Sequence, residues 1–309
     1  MPDQTAPRPA PTPLAWLFLA LLGLIWGGSF LGVAMALRGF GPLSIAAGRI
    51  GIAAAILTAL ALATGPGLPA FHTDRGRRIW LHCIGMGLFS NALPFALLSW
   101  AQRQVTSGFA GISMAVVPLM VLPLAHVFVP GERMTWPKVA GFVLGFAGVV
   151  VLIGPAGLGA GNADGVARLA CIAASCSYAV GAIVTRLAPP GPYLGFAAGG
   201  LLVASALILP PALFLEGLPA DPPLAAIVGV LYLGIFPTAL ATVMLVFVVQ
   251  SAGPSFMSLV NYQVPVWAVL LGMLALGEEL PHQFLGALLL ILGGLAVSQL
   301  WRRRPPGRR

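Results

Sequence analysis

Apolar residues in this chain run in long unbroken blocks, separated by charges or by Gly/Pro clusters, instead of alternating with polar residues at a strand or amphipathic-helix period. A helix needs about 20 apolar residues to cross the hydrocarbon core of a bilayer. With charges, Gly/Pro clusters and loops as boundaries, the blocks predict crossings near 14–35, 41–63, 79–101, 106–129 and 136–153. Five more follow near 166–187, 192–215, 224–249, 254–275 and 282–301. The first 13 residues carry five prolines and read as a disordered tail. The apolar run beginning at Leu14 shows no small-residue cleavage site, so it reads as a retained first helix. Residues 302–309 form a basic tail.

Composition agrees with this reading. Only 8% of the 309 residues are charged and 59% are hydrophobic, against about a quarter charged in an ordinary soluble domain. A water-soluble enzyme of this size is thereby excluded. The 39 Gly and 28 Pro are scattered through apolar runs without a G-X-Y period, which excludes collagen and polar disorder. The fold class is an all-α polytopic membrane protein with ten transmembrane helices.

The net charge of +8 would suggest nucleic acid in a soluble chain, but the basic residues flank apolar blocks and form no basic-aromatic platform. Orientation in the bilayer explains them instead. With both termini in the cytoplasm, Arg8, Arg75, Arg77, Arg78, Arg133, Lys138, Arg186, Arg302, Arg303, Arg304, Arg308 and Arg309 lie inside. Arg38, Arg103 and Arg168 lie outside, and Arg49 alone is intramembrane. Twelve against three supports both the helix count and the direction. Cys83, Cys171 and Cys176 lie in or beside apolar segments with no metal-ligand spacing, so they read as packing residues and no metal is expected.

The chain also carries an internal duplication. The stretch from Ser107 to Leu152 resembles that from Ala252 to Ser298, with Pro118 matching Pro265 at an offset of 147 and Glu132 matching Glu278 at 146. Gly141 and Gly148 match Gly286 and Gly293 at 145. Five crossings are an odd number, so the second copy must enter the membrane upside down. The expected domains are a first repeat at 14–153 and an inverted second repeat at 166–301.

With IWGGSF at Ile25–Phe30, the PLSIAAGR run ending at Arg49 and two Pro to Gly-Glu to Gly stretches, the sequence resembles the ten-helix EamA branch of the drug/metabolite transporter superfamily. The resemblance runs from Leu14 to Trp301. It implies two bundles of five helices around a central cavity lined by helices 1, 3, 4, 6, 8 and 9. It further implies export of small metabolites or drugs from the bacterial cytoplasm across the inner membrane, with amino-acid exporters, aromatic ones included, most similar. The sixth helix departs from the family pattern, with Ser177 or its neighbours where a Trp is usual.

Polar residues are costly in hydrocarbon unless they find partners or water, so they are the first candidates for a pathway. On helix 9, Ser258, Asn261, Tyr262 and Pro265 fall at i, i+3, i+4 and i+7, with Gln263 beside them. Mixed amide, ring and hydroxyl chemistry suits a zwitterionic or amphipathic solute, although helix-to-helix hydrogen bonding would use the same residues. Helix 3 carries Ser90, Asn91 and Pro94 along a similar stripe, and the 147 offset pairs Asn91 with Thr238 and Ser90 with Pro237. Pro94, Pro118, Pro237 and Pro265 each free a backbone carbonyl, as hinges at a cavity or as packing bends. Trp26 and Tyr178 lie mid-helix and are better cavity candidates than Trp100, near a helix end; Tyr232 is less easily assigned.

Arg49 lies about 12 Å into helix 2 at 1.5 Å per residue. With no intramembrane carboxylate in the sequence, it must find carbonyls, an outer-loop acid or a substrate carboxylate. The resemblance implies an Arg at this point irrespective of substrate, which favours a structural role at least as much as binding. The glycine stripes, including Gly141, Gly145 and Gly148, read as close helix packing, with a dimer contact through helices 5 and 10 as the alternative.

No membrane-embedded Asp or Glu is present to carry a proton, and no Walker A loop to hold ATP. The function expected is a transporter without cofactor, whose partners are a small-molecule substrate and the lipid bilayer, as monomer or homodimer. Multidrug or quaternary-cation efflux is the alternative. An intramembrane enzyme would need paired Asp, a Ser/His pair or a zinc motif at depth, and none is present; a membrane scaffold would not need the polar face of helix 9.

Overall fold

The computed structural model describes residues 11–65, 67–158 and 163–300. All regular structure among the described residues is helical. In chain order the helices are α1 Pro13–Ala36, α2 Pro42–Thr64, α3 Asp74–Ala101, α4 Ser107–Phe128 and α5 Trp136–Leu158. They continue as α6 Ala163–Leu187, α7 Tyr193–Leu215, α8 Leu224–Ala252, α9 Val260–Leu276 after a short turn of helix at Pro254–Met257, and α10 His282–Leu300. Among the described residues, nine of these are long and apolar enough to cross a membrane; α9 itself has 17 residues. The tails at 1–10 and 301–309 lie outside the described residues.

Two boundaries differ from the sequence expectation, each for a local reason. Helix α3 begins at Asp74 and not near 79, because Thr73 caps it: its hydroxyl accepts from Gly76 N at 3.0 Å, and Asp74 sits in the positively polarised first turn. The basic residues Arg75, Arg77 and Arg78 are therefore helical. The crossing expected as one helix over 254–275 is broken at Ser258–Leu259, where Asn261 N and Tyr262 N donate three residues back, to Ser258 O and Leu259 O. Ser258 therefore does not share a continuous helical face with Asn261, Tyr262 and Pro265.

The principal contacts join α1 to α8 and α9, α6 to α3 and α4, α2 to α7 and α8, α3 to α7, α4 to α9, and α5 to α10. Exchanging each helix n for its counterpart five places along leaves this set unchanged. Close backbone approach makes the pairs possible. A Cβ on Gly27 would lie 2.4 Å from Trp267 Cβ on α9, and one on Gly141 would lie 2.4 Å from Gly294 O on α10. The glycine stripe of α5 that the sequence leaves open to a dimer contact is thus consumed within the chain: Gly141 and Gly148 by α10 and Gly145 by Leu119 of α4.

Leu62, Leu81, Val143, Leu274 and Leu289 remain exposed on the outside, as a lipid-facing surface requires. Helix ends are closed by acids from the opposite half. Glu216, at the end of α7, accepts from Leu43 N at 3.0 Å and Ser44 N at 2.8 Å in the first turn of α2.

Candidate functional site

Helices α3 and α8 each widen once into a π-helical turn, at Leu88–Ala92 and Ile235–Leu240. The two turns lie 147 residues apart at their first residues, which is the offset that pairs Asn91 with Thr238. Proline is the cause in α8: Pro237 has no N–H to give Leu233 O, and the Thr238 hydroxyl donates to that carbonyl instead, at 2.7 Å. In α3, Pro94 follows the turn and the Asn91 side-chain amide donates to Met86 O at 3.3 Å. Each turn therefore carries one polar side chain bonded five residues back.

The turn in α8 is also where α1 and α2 arrive. The Trp26 indole N–H donates to Pro237 O at 3.0 Å. Arg49 reaches Thr238 from α2, with Nε and Nη2 donating to the same hydroxyl oxygen at 3.3 and 3.2 Å. The guanidinium carbon lies 3.6 Å from the centroid of the Phe95 ring on α3, a cation–π contact. Tyr178 of α6 meets the edge of Phe95 at 6.2 Å between centroids. Arg49 is buried, 5% exposed, and no acid lies within ion-pair distance of it among the described residues.

Trp26 of this cluster also lines a cavity of about 240 Å³. Its wall includes Trp26, Ser258 and Asn261, with Leu245, Val249 and Met257 as apolar lining. Met257, Ser258 and Val260, at the break where α9 begins, form part of that wall. Of the sequence candidates, then, Trp26, Ser258 and Asn261 share one cavity, and Thr238 and Tyr178 surround Arg49. Asn91 is buried in the α3 turn. Ser90 instead packs against Gly181 of α6, and Gln263 against Gly23 of α1, where each would meet an added Cβ. Tyr262 is half-buried and outside this cavity. Tyr232 ties helices together, its hydroxyl donating to Ile25 O at 3.3 Å over Gly28 and Gly32.

Pro118 follows the kink in α4 at Met114–Ala115, where its ring would meet Met114 O in a straight helix. Pro265 is accommodated within α9. Phe95 carries no polar signal in the sequence, although it stands four residues after Asn91.

Glu278 was legible as a repeat anchor but not as a cap. Its carboxylate accepts from Ser107 N at 2.7 Å, Ser107 Oγ at 2.9 Å and Gly108 N at 3.0 Å, while Thr106 Oγ accepts from Phe109 N at 3.2 Å. Together they satisfy three of the first free N–H groups of α4. Its sequence counterpart Glu132 is engaged differently, with Arg186 Nη2 at 2.7 Å and Lys138 Nζ at 3.1 Å. The Arg186 and then the Lys138 hydrogen bonds hold the Glu132 carboxyl below the usual carboxylate range.

Ten apolar helices, prolines at two π-helical turns 147 residues apart and a cavity between α1, α8 and α9 fit a membrane transporter of the kind the sequence suggested. The chain belongs to the EamA-like transporter family, whose model matches it twice, over residues 14–154 and 166–299. Among known proteins, it is 29% identical over 272 residues to the uncharacterized inner membrane transporter YedA of Escherichia coli, covering 85% of this chain and 84% of that one. It is 29% identical over 300 residues to a probable terminal-alkyne amino-acid exporter of Streptantibioticus cattleyicolor, covering 94% of each. To the aromatic amino acid exporter YddG of Ancylobacter novellus it is 30% identical over 271 residues, covering 85% of this chain and 89% of that one. A crystal structure 27% identical in sequence superposes with a TM-score of 0.67, over 94% of this chain and 99% of the other.

Proposed function

We propose that this protein exports small amphipathic metabolites, amino acids above all and aromatic ones among them, across a bacterial inner membrane. Substrate binds in the cavity bounded by Trp26, Ser258 and Asn261, with Asn91, Tyr178, Thr238, Tyr262, Gln263 and Ser90 on the helices that move around it. The observation that carries this reading is the cavity itself: an indole, a hydroxyl and an amide on an otherwise apolar wall, the indole bonded to the proline turn of α8. The exporter functions of the Streptantibioticus and Ancylobacter relatives support the same substrate class.

Two inverted five-helix repeats alternate access to this site. The helix contacts that survive exchange of the halves, and the two turns 147 residues apart, support the duplication. The basic residues support cytoplasmic termini. In that orientation the cavity lies at the cytoplasmic ends of α8 and α9, the loading side of an exporter, and Glu278 closes α4 at the opposite end. Pro94, Pro118, Pro237 and Pro265 act as hinges.

The test is counterflow of labelled amino acids into proteoliposomes, comparing wild type with Asn261→Ala and Ser258→Ala. Saturable flux reduced in both variants supports the reading. Cationic dyes moving while no amino acid does would overturn it in favour of drug efflux, for which the Trp26 ring offers a cation surface.

A further inference from the structure

From the way Arg49 is held, we propose that its guanidinium is the group that recognises a carboxylate on the transported molecule. The inference deepens the exporter reading and rests on it for the word transported, but the binding site itself stands on geometry alone.

A guanidinium carries five N–H donors. Arg49 uses two, both on the single oxygen of Thr238 and both long for hydrogen bonds to a charged donor, at 3.3 and 3.2 Å. The remaining three have no acceptor among the described residues, and Nη1 is not one of the unpartnered polar atoms sealed from water. The ring of Phe95 adds a cation–π contact. A buried cation left without an anion is expensive, more so at membrane depth.

The same chain holds a second largely buried arginine that does have an anionic partner. Arg168, also mostly buried, has Asp164 at 2.8 Å, donates to Ile153 O at 3.0 Å and lies 5.4 and 5.6 Å from the rings of Phe109 and Phe284. Arg168 is matched in charge and Arg49 is not. The missing partner of Arg49 is an anion, and the planar donor fork that Thr238 leaves unused suits the two oxygens of a carboxylate.

Position agrees with chemistry. Thr238, which holds Arg49, adjoins Pro237, whose carbonyl holds Trp26 on the cavity wall. Trp26 thus links the cavity wall to the turn that holds Arg49. The positive charge also disfavours an organic cation at the same place.

The experiment uses the full-length protein in nanodiscs and four matched probes: phenylalanine, 3-phenylpropionate, phenylalaninamide and phenethylamine. Ligand-induced thermal stabilisation gives the affinities. Wild type should prefer the two carboxylates over the amide and the amine by about 10- to 100-fold, the range that a hydrogen bond to a charged group gives. Arg49→Gln should abolish the preference, and Arg49→Lys should keep part of it. Equal binding of acid and amide by wild type, an undiminished preference in Arg49→Gln, or no binding of either carboxylate would each overturn the proposal.

Should Arg49→Gln fail to fold, phenylglyoxal modification of wild type reads the same point. Mass spectrometry should show Arg49 protected by the carboxylates and not by the amide; equal labelling under all conditions would overturn it. Binding of 3-phenylpropionate without phenylalanine would remove the amino-acid reading and leave the Arg49 site. Equal transport of phenylalanine and its amide would do the reverse.

Discussion

Glu278 binds Ser107 twice, through the backbone N–H and through the hydroxyl, so a turn at the end of α9 closes the start of α4. The approach is tight: a Cβ on Gly272 would lie 2.5 Å from Glu278 Oε2 and 2.7 Å from Ser107 Oγ, and Gly277, at φ 65°, turns the chain so that the acid faces inward. Charge-assisted bonds to helix N–H groups contribute about 1.5–3 kcal/mol each when partly buried. We predict that Glu278→Ala lowers the melting temperature in nanodiscs and increases labelling of a cysteine placed at Thr106. Ser107→Ala, which keeps both backbone donors, should have the smaller effect. Unchanged labelling in Glu278→Ala would mean the contact is not what holds that end shut.

Gly141 and Gly148 face α10 at backbone distance, with added Cβ atoms reaching Gly294 O at 2.4 Å and Ala287 O at 2.9 Å. Neither obstacle is the end of a flexible side chain. Gly141→Leu should therefore separate α5 from α10 and cost about 1–3 kcal/mol or more, the usual range for overpacking. Thermal denaturation checks the loss. Gly286→Leu, where an added Cβ meets nothing within 4 Å, should be tolerated and serves as the control.

The helix count and the repeat were legible because both rest on patterns the chain displays openly: block length, and the recurrence of Pro, Gly-Glu and Gly at a nearly fixed offset. The two turns are half-visible in the sequence, since the 147 offset pairs Asn91 with Thr238 but a π turn leaves no periodicity of its own. What a side chain touches was less legible. Ser90 and Asn91 are adjacent polar residues on one stripe, yet Ser90 faces Gly181 while Asn91 is committed to its own helix. Widening the helix by one residue rotates the face that a regular 100° step would assign. The partner of Arg49 was invisible for another reason: Thr238 stands 189 residues away, and no local pattern encodes that meeting.

Glu132 joins the α4–α5 connection to α6 through Arg186 and to α5 through Lys138. Those partners depress its folded pKa below the unfolded value. A depressed carboxylate contributes stability that is fully present above the unfolded pKa and is lost as the pH falls through the folded one. The contribution should hold at neutral pH and disappear below about pH 4, given an unfolded Glu value of about 4.3. Thermal melts of wild type and Glu132→Gln should differ at pH 7 and converge at low pH. A constant difference across that range would exclude the ion pairs as its source.

Thr238 has one hydroxyl with two duties: it donates to the carbonyl that Pro237 leaves free and accepts from Arg49. Thr238→Val keeps the shape and removes both bonds, leaving a buried carbonyl and a buried cation unsatisfied, at a cost of about 1–3 kcal/mol for each neutral group and more for the charge. We expect a lower melting temperature and reduced flux in the proteoliposome assay. Thr238→Ser restores the hydroxyl and should recover both, apart from the missing methyl. Pro237→Ala separates the two duties, since it returns a backbone N–H to Leu233 O and relieves Thr238 of the first. In that background Thr238→Val should be less destabilising than in wild type, while flux stays low because Arg49 remains unheld. Equal destabilisation in both backgrounds would show that the carbonyl was never the issue and that Thr238 acts through Arg49 alone.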